Sequence, residues 1–178
     1  MFAVLFALSF FSAARAETSD VEIAWRLLDY IAVDYGGAVS HGEVSSPSEY
    51  AEQKEFAADV AAKLATLPPH RDRQALVREA ARLQRAIDDK ADAETVAGIA
   101  HGLAAALLAA YPVPLAPNKV PNIARGATLF AQSCAACHGE AGDGHGPDAG
   151  KLDTPPIAFT DADRARQRSI FGPYQVIT

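Results

Sequence analysis

The sequence predicts an all-α chain of two parts: an antiparallel helical bundle over 17–110 and a smaller helical domain over 122–178. Three observations predict it. Apolar residues recur at three- and four-residue steps in four successive segments between Val21 and Leu107, the period of helices with one buried face. The composition then breaks at Tyr111–Pro121, where four prolines fall in eleven residues; no helix survives that density, so 111–121 reads as an extended linker. Helical periodicity resumes over Gly126–Ser133 and runs into the only two cysteines of the chain, with Leu129 and Phe130 expected to face inward.

Taken in order, Met1–Ala16 is an apolar run closing on Ala14-Arg15-Ala16, the h-region and small-residue cleavage site of a secretory signal. It is shorter than the ~20 apolar residues a membrane span needs. Export to the periplasm is therefore expected. In the first helix Val21, Ala24, Trp25, Leu28, Ile31, Ala32 and Tyr35 share a face, and Gly36-Gly37 is expected to stop it. A second helix starts at Ser46 or Ser48 with Pro47 in its first turn, turns Phe56, Val60, Leu64 and Leu67 inward, and ends at Pro68-Pro69. A third over about 72–89 buries Leu76, Ala80, Leu83 and Ile87, and a fourth over about 93–110 buries Val96, Ile99, Leu103 and Leu107. Short joins between such helices favour antiparallel neighbours. The fourth is apolar, but it is short and carries His101 and two glycines, which suits a core helix better than a span.

The bundle carries little legible chemistry. His41, His70 and His101 read as structural histidines. Glu49, Glu52, Glu55 and Asp59 make an acidic stripe that suits either a hard cation or plain solvent, the second being the commoner outcome.

The chemistry sits in Cys134-Ala135-Ala136-Cys137-His138, whose spacing is the covalent attachment signature of c-type haem. Two thiols on one helical turn can add across the two vinyl groups of a porphyrin. The adjacent imidazole then reaches the iron. Dithiol redox chemistry would want a βαβ setting, and zinc would want two more Cys or His ligands. Neither is visible, and His41, His70, His101 and His145 form no ligand pair. One covalent haem c is therefore expected, on Cys134 and Cys137 with His138 as the proximal iron ligand. Leu152, Pro155, Pro156, Ile157 and Phe159 are candidates for packing on its edge. Arg164, Arg166 and Arg168 suit either its propionates or a solvated helix face, the latter more often. The formal charge is −6, and loss of Arg15 with the signal leaves 15 basic against 22 acidic residues. That balance argues against nucleic acid and for a cationic or neutral docking partner.

Arg125-Gly126-Ala127-Thr128-Leu129-Phe130 before the motif, and Gly139 to Pro147 after it, resemble a class I cytochrome c. The resemblance implies a glycine-rich turn around the porphyrin edge, and a Pro147 carbonyl that accepts from the His138 imidazole and orients it. Leu27 to Tyr35, opening a helical domain ahead of such a motif, resembles the amino-terminal part of bacterial fusions. In these a cytochrome c precedes an oxidase-dependent, high-affinity iron permease. This second resemblance implies an electron-transfer haem protein rather than an enzyme, coupled to iron uptake. Its expected partners are a redox protein and a membrane iron permease, with ferrous iron met only indirectly. Transport by this chain alone is not expected, because Arg78-Glu79-Ala80-Ala81-Arg82 lacks the final Glu of the permease motif.

The cytochrome family normally supplies a methionine as sixth ligand, and the only one here is Met1. Ile170–Thr178 resembles the helix ahead of that methionine loop, so the chain is expected to be a fragment whose continuation carries the ligand. The alternative is a distal side holding His145, water or nothing. A general electron carrier unrelated to iron, and a haem-based sensor, are the competing functional readings.

Overall fold

The computed structural model describes residues 4–177, of which 4–19, 175 and 176 are described by their backbone alone. Met1–Ala3 and the side chains of the expected export signal therefore lie outside the described residues.

Four helices make the first unit: α1 (Val4–Ala38), α2 (Pro47–Thr66), α3 (Arg73–Asp88) and α4 (Ala93–Ala110). α1 packs on both α2 and α4, and α3 closes the ring by packing on the same two. Every residue expected on the inner face of α1 is buried, as are Leu76, Ala80, Leu83 and Ile87 of α3 and Val96, Ile99, Leu103 and Leu107 of α4. Each fully buried Leu or Ile contributes roughly 1.5–3 kcal/mol through surface removed from water. Phe56 is the exception: it is half-buried, while Val60, Leu64 and Leu67 are buried as expected and Gln53 and Ala57 join them.

Local signals explain the helix ends. Ser46 caps α2, its hydroxyl accepting from the Glu49 N–H, with Pro47 at the first helical position where its missing N–H costs nothing. Asp92 caps α4, accepting from the Thr95 N–H at 2.8 Å. Gly36-Gly37 falls in the last turn of α1, which ends one residue later at Ala38. Both glycines are exposed, so the helix loses only about 1 kcal/mol of propensity at each. Beyond them Ala38 and Val39 are buried and hold the chain on the core. A two-stranded antiparallel hairpin follows, β1 (Val39–Ser40) and β2 (Glu43–Val44), turning at His41-Gly42.

Tyrosine hydroxyls tie the loops to the bundle. Tyr35 donates to the Ala91 carbonyl at 3.0 Å, Tyr50 to that of Ile87 at 3.0 Å, and Tyr111 to that of Pro68 at 2.7 Å. Burial, with smaller help from Tyr50 and Asp92, pushes the Tyr35 phenol up to about 12. Past α4 no helix forms until residue 123, and Tyr111, Val113 and Leu115 lie half-buried against the bundle core.

The second unit is Ala116–Ile170. It holds α5 (Ile123–Ser133), the single turn α6 (Ala135–His138), a 3-10 turn at Ala149–Lys151, and α7 (Ala162–Gln167). The last helix is α8 (Phe171–Ile177). It lies against α1 and belongs to the first unit, because Phe171 finds partial burial on the bundle core. The second unit has no such core of its own. Its one buried hydrophobic residue among those described is Ala135, while Ile123, Leu129, Leu152 and Phe159 are all exposed.

Candidate functional site

The site starts where α5 ends. Asn122 caps that helix by accepting from the Arg125 N–H at 2.9 Å. Cys134 leaves helical geometry at φ −120° while its N–H still donates to the Phe130 carbonyl. The chain then makes one new turn. The His138 N–H donates back to the Cys134 carbonyl at 2.9 Å and that of Cys137 to the same oxygen at 3.2 Å. Cys134 and Cys137 are three residues apart on this turn, half-buried, and both carry free thiols. Three-residue spacing places two side chains on the same face.

The turn ends in a glycine-rich loop that folds back over it. The Gly139 N–H donates to the Ala135 carbonyl at 2.9 Å, Asp148 to Ala136 at 2.8 Å, Gly146 to Cys137 at 3.1 Å, and Gly144 to His138 at 2.7 Å. Every carbonyl that the short helix would leave orphaned is thereby satisfied. The cost is close backbone contact. A Cβ at Gly146 would overlap the carbonyls of both Ala135 and Ala136, and one at Gly144 would stand 2.8 Å from the Pro156 carbonyl oxygen.

The segment after Pro155-Pro156 closes the site. The Phe159 N–H donates to the Gly142 carbonyl at 2.7 Å, which draws 157–159 alongside His138. Nδ1 of His138 lies 3.0 Å from the Ile157 carbonyl. A carbonyl only accepts, so Nδ1 is the donor, the tautomer in which a neutral imidazole has its lone pair on Nε2. The Phe159 ring stacks on the imidazole with centroids 4.5 Å apart and planes 23° apart, and meets Phe130 edge-on at 6.2 Å.

Cys134, Cys137 and His138 thus share one turn, but Pro147 does not take its expected part. It is exposed, and the carbonyl that orients His138 belongs to Ile157. The reason is local: Gly144 lets the backbone of 156–158 approach, and that segment fills the position at Nδ1. Leu129 is not buried as expected, since nothing within this unit covers it, and no residue of α5 is buried. An open groove of about 690 Å³ runs along that helix, lined by Ile123, Ala127, Phe130 and Ala131. His145 is exposed in the glycine loop, its backbone N–H donating to Asp143. Arg166 pairs with Asp163 at 2.5 Å on exposed α7. In the bundle, Glu52 is pushed up by burial and then by Glu49, Asp34 and Glu55. Among the described residues no cluster of three or more His, Cys, Asp or Glu side chains is arranged to hold a metal ion.

The sequence-family comparison matches this architecture. The family described as iron permease-associated 4-helix bundle domain matches residues 12–114, and that of cytochrome c matches residues 123–176. Comparisons with curated proteins and with solved structures give no match. A cytochrome c domain implies covalently bound haem and electron transfer, and the bundle links the chain to an iron permease. With more than half of its length matched by the bundle model, the chain belongs to the iron permease-associated 4-helix bundle domain family, and a cytochrome c domain follows the bundle.

Proposed function

We propose that this chain is a periplasmic c-type cytochrome module that passes single electrons in support of oxidase-dependent iron uptake by a membrane permease. The observation that carries the reading is the single turn 134–138. It presents two free thiols three residues apart and an imidazole whose Nδ1–H is already engaged by Ile157. That donor set fits a haem: Cys134 and Cys137 would hold it by thioether bonds, each S–H adding across one vinyl group. His138 would offer Nε2 to the iron. The second unit also fits in a different way. Its large apolar side chains, Leu129, Leu152 and Phe159 among them, stay about half exposed, as expected of a small domain whose core is completed by a cofactor.

When bound, the haem supplies the one-electron Fe²⁺/Fe³⁺ couple. The residues of this chain tune it. The Ile157 carbonyl makes the imidazole a stronger donor through its Nδ1 proton, and the apolar rim excludes water. The bundle's part is association with the permease, through its family link. The acidic balance of 22 acidic to 16 basic residues favours a cationic or neutral redox partner.

The test is export of the full chain in cells carrying haem-maturation machinery, followed by a pyridine haemochrome spectrum and intact mass. The expected result is a c-type band and the mass of one added haem on a chain lacking residues 1–16. Bare thiols, under conditions that mature a control cytochrome, would refute the reading.

A further inference from the structure

We propose that Phe159 is a positioning residue for the proximal ligand: it fixes the plane of the His138 imidazole, and with it the electronic state of the iron. This inference rests on the haem reading above.

The segment 157–159 touches the imidazole twice and from different directions. The Ile157 carbonyl meets Nδ1 at the ring edge at 3.0 Å. The Phe159 ring covers one face, with centroids 4.5 Å apart. An edge hydrogen bond alone anchors one nitrogen and leaves the ring free to rock about the line through it. A flat neighbour on the face removes that motion. Phe159 can serve because it is itself held. Its N–H is bound by the Gly142 carbonyl at 2.7 Å, and its ring rests on Gly142, where a Cβ would come within 3.4 Å of Cδ2. The edge of Phe130 supports it from a third side. Gly142 has φ +72°, a conformation that side chains rarely adopt, so the seat for the phenyl ring is built into the backbone.

Simple core packing does not account for this side chain. Phe159 is 53 % exposed, and an aliphatic residue would cover the same surface. Stacking needs a flat ring. The orientation of an axial imidazole decides which iron orbitals it overlaps, so its plane is a property worth holding.

The experiment uses the full, exported, haem-loaded chain as wild type, Phe159→Leu and Phe159→Tyr. Haem content comes from the pyridine haemochrome. Imidazole orientation comes from the g values and the spread of the haem-methyl resonances of the ferric protein with cyanide added as sixth ligand, which makes the iron low-spin. Phe159→Leu should keep covalent haem, shift the largest g value and alter the methyl spread, while Phe159→Tyr should restore both. A Leu variant with wild-type g values and methyl pattern would overturn the proposal while leaving the haem reading intact. A wild type without covalent haem would instead sink the parent reading. If the Leu variant does not accumulate, the haem-free wild-type chain decides. The carbon-bound ring protons of His138 should lie upfield of their random-coil positions through the Phe159 ring current, and unshifted signals there would equally overturn the assignment.

Discussion

Nδ1 of His138 stands 3.0 Å from the carbonyl oxygen of Ile157, nineteen residues further along the chain. The contact fixes the tautomer of the proposed ligand through backbone alone, so no side-chain substitution at position 157 can delete it. What can disturb it is the packing of the glycine loop that brings the two residues together.

Gly146→Ala is the sharpest probe of that packing. The added Cβ would overlap the carbonyls of Ala135 and Ala136, whereas one at Gly150 would meet nothing within 4 Å. We expect Gly146→Ala to cut the yield of haem-loaded chain severely and Gly150→Ala to leave it unchanged, measured as haemochrome per mole of protein. Helical content of the bundle should be the same in both variants by circular dichroism, because the bundle is a separate unit.

Single removal of either thiol should leave one thioether. Cys134→Ala and Cys137→Ala are each expected to retain covalent haem in reduced amount, with the haemochrome band moved to longer wavelength by the vinyl group left unsaturated. The double variant should carry none after acid–acetone extraction. Retention in the double variant would contradict the assignment of these sulfurs.

The two units should respond differently to truncation of leucines. Leu64 is fully buried while Leu129 is 50 % exposed. Leu64→Ala is expected to cost about 2–5 kcal/mol in urea denaturation of the haem-free chain. Leu129→Ala should cost no more than about 0.5 kcal/mol in the same experiment.

Tyr35 gives the bundle a high-pH limit. Its phenol is raised from 10.0 to about 12 in the folded protein, so between those values the unfolded chain releases a proton that the folded one retains. The stabilisation is complete below pH 10 and is lost as pH climbs toward 12. Tyr35→Phe should remove this part of the alkaline decline. At neutral pH it should cost about 1 kcal/mol, through loss of the hydrogen bond to Ala91. Thermal melts of both chains across pH 8–11.5 would check the two effects together.

What could be read from residues alone follows from which forces leave a periodic trace. The inner faces of α1, α3 and α4 were legible because burial repeats every three to four positions. The end of α1 was legible too: Gly36-Gly37 is a local stop signal, and the helix ends one residue beyond it. The hairpin that follows turns on His41 and Gly42 at φ 54° and 77°. Such a turn favours Asn-Gly, and His-Gly announces it only faintly. At the site, Cys134, Cys137 and His138 stood out by spacing, whereas the Ile157 contact did not. Every residue owns a carbonyl, so only the folded path shows which one meets the imidazole. Phe159 was visible as an apolar residue near the motif, but its stacking depends on a glycine seventeen positions earlier.

The scarcity of buried side chains in 116–170, set beside the filled interior of the bundle, gives the two halves of the polypeptide different resistance to heat and protease. One half carries a filled interior supplied by its own side chains. The other is held mainly by backbone hydrogen bonds around its glycine loop and keeps an open, greasy face, so in an apo-preparation it should melt ahead of the bundle, and limited proteolysis should cut first within 116–170.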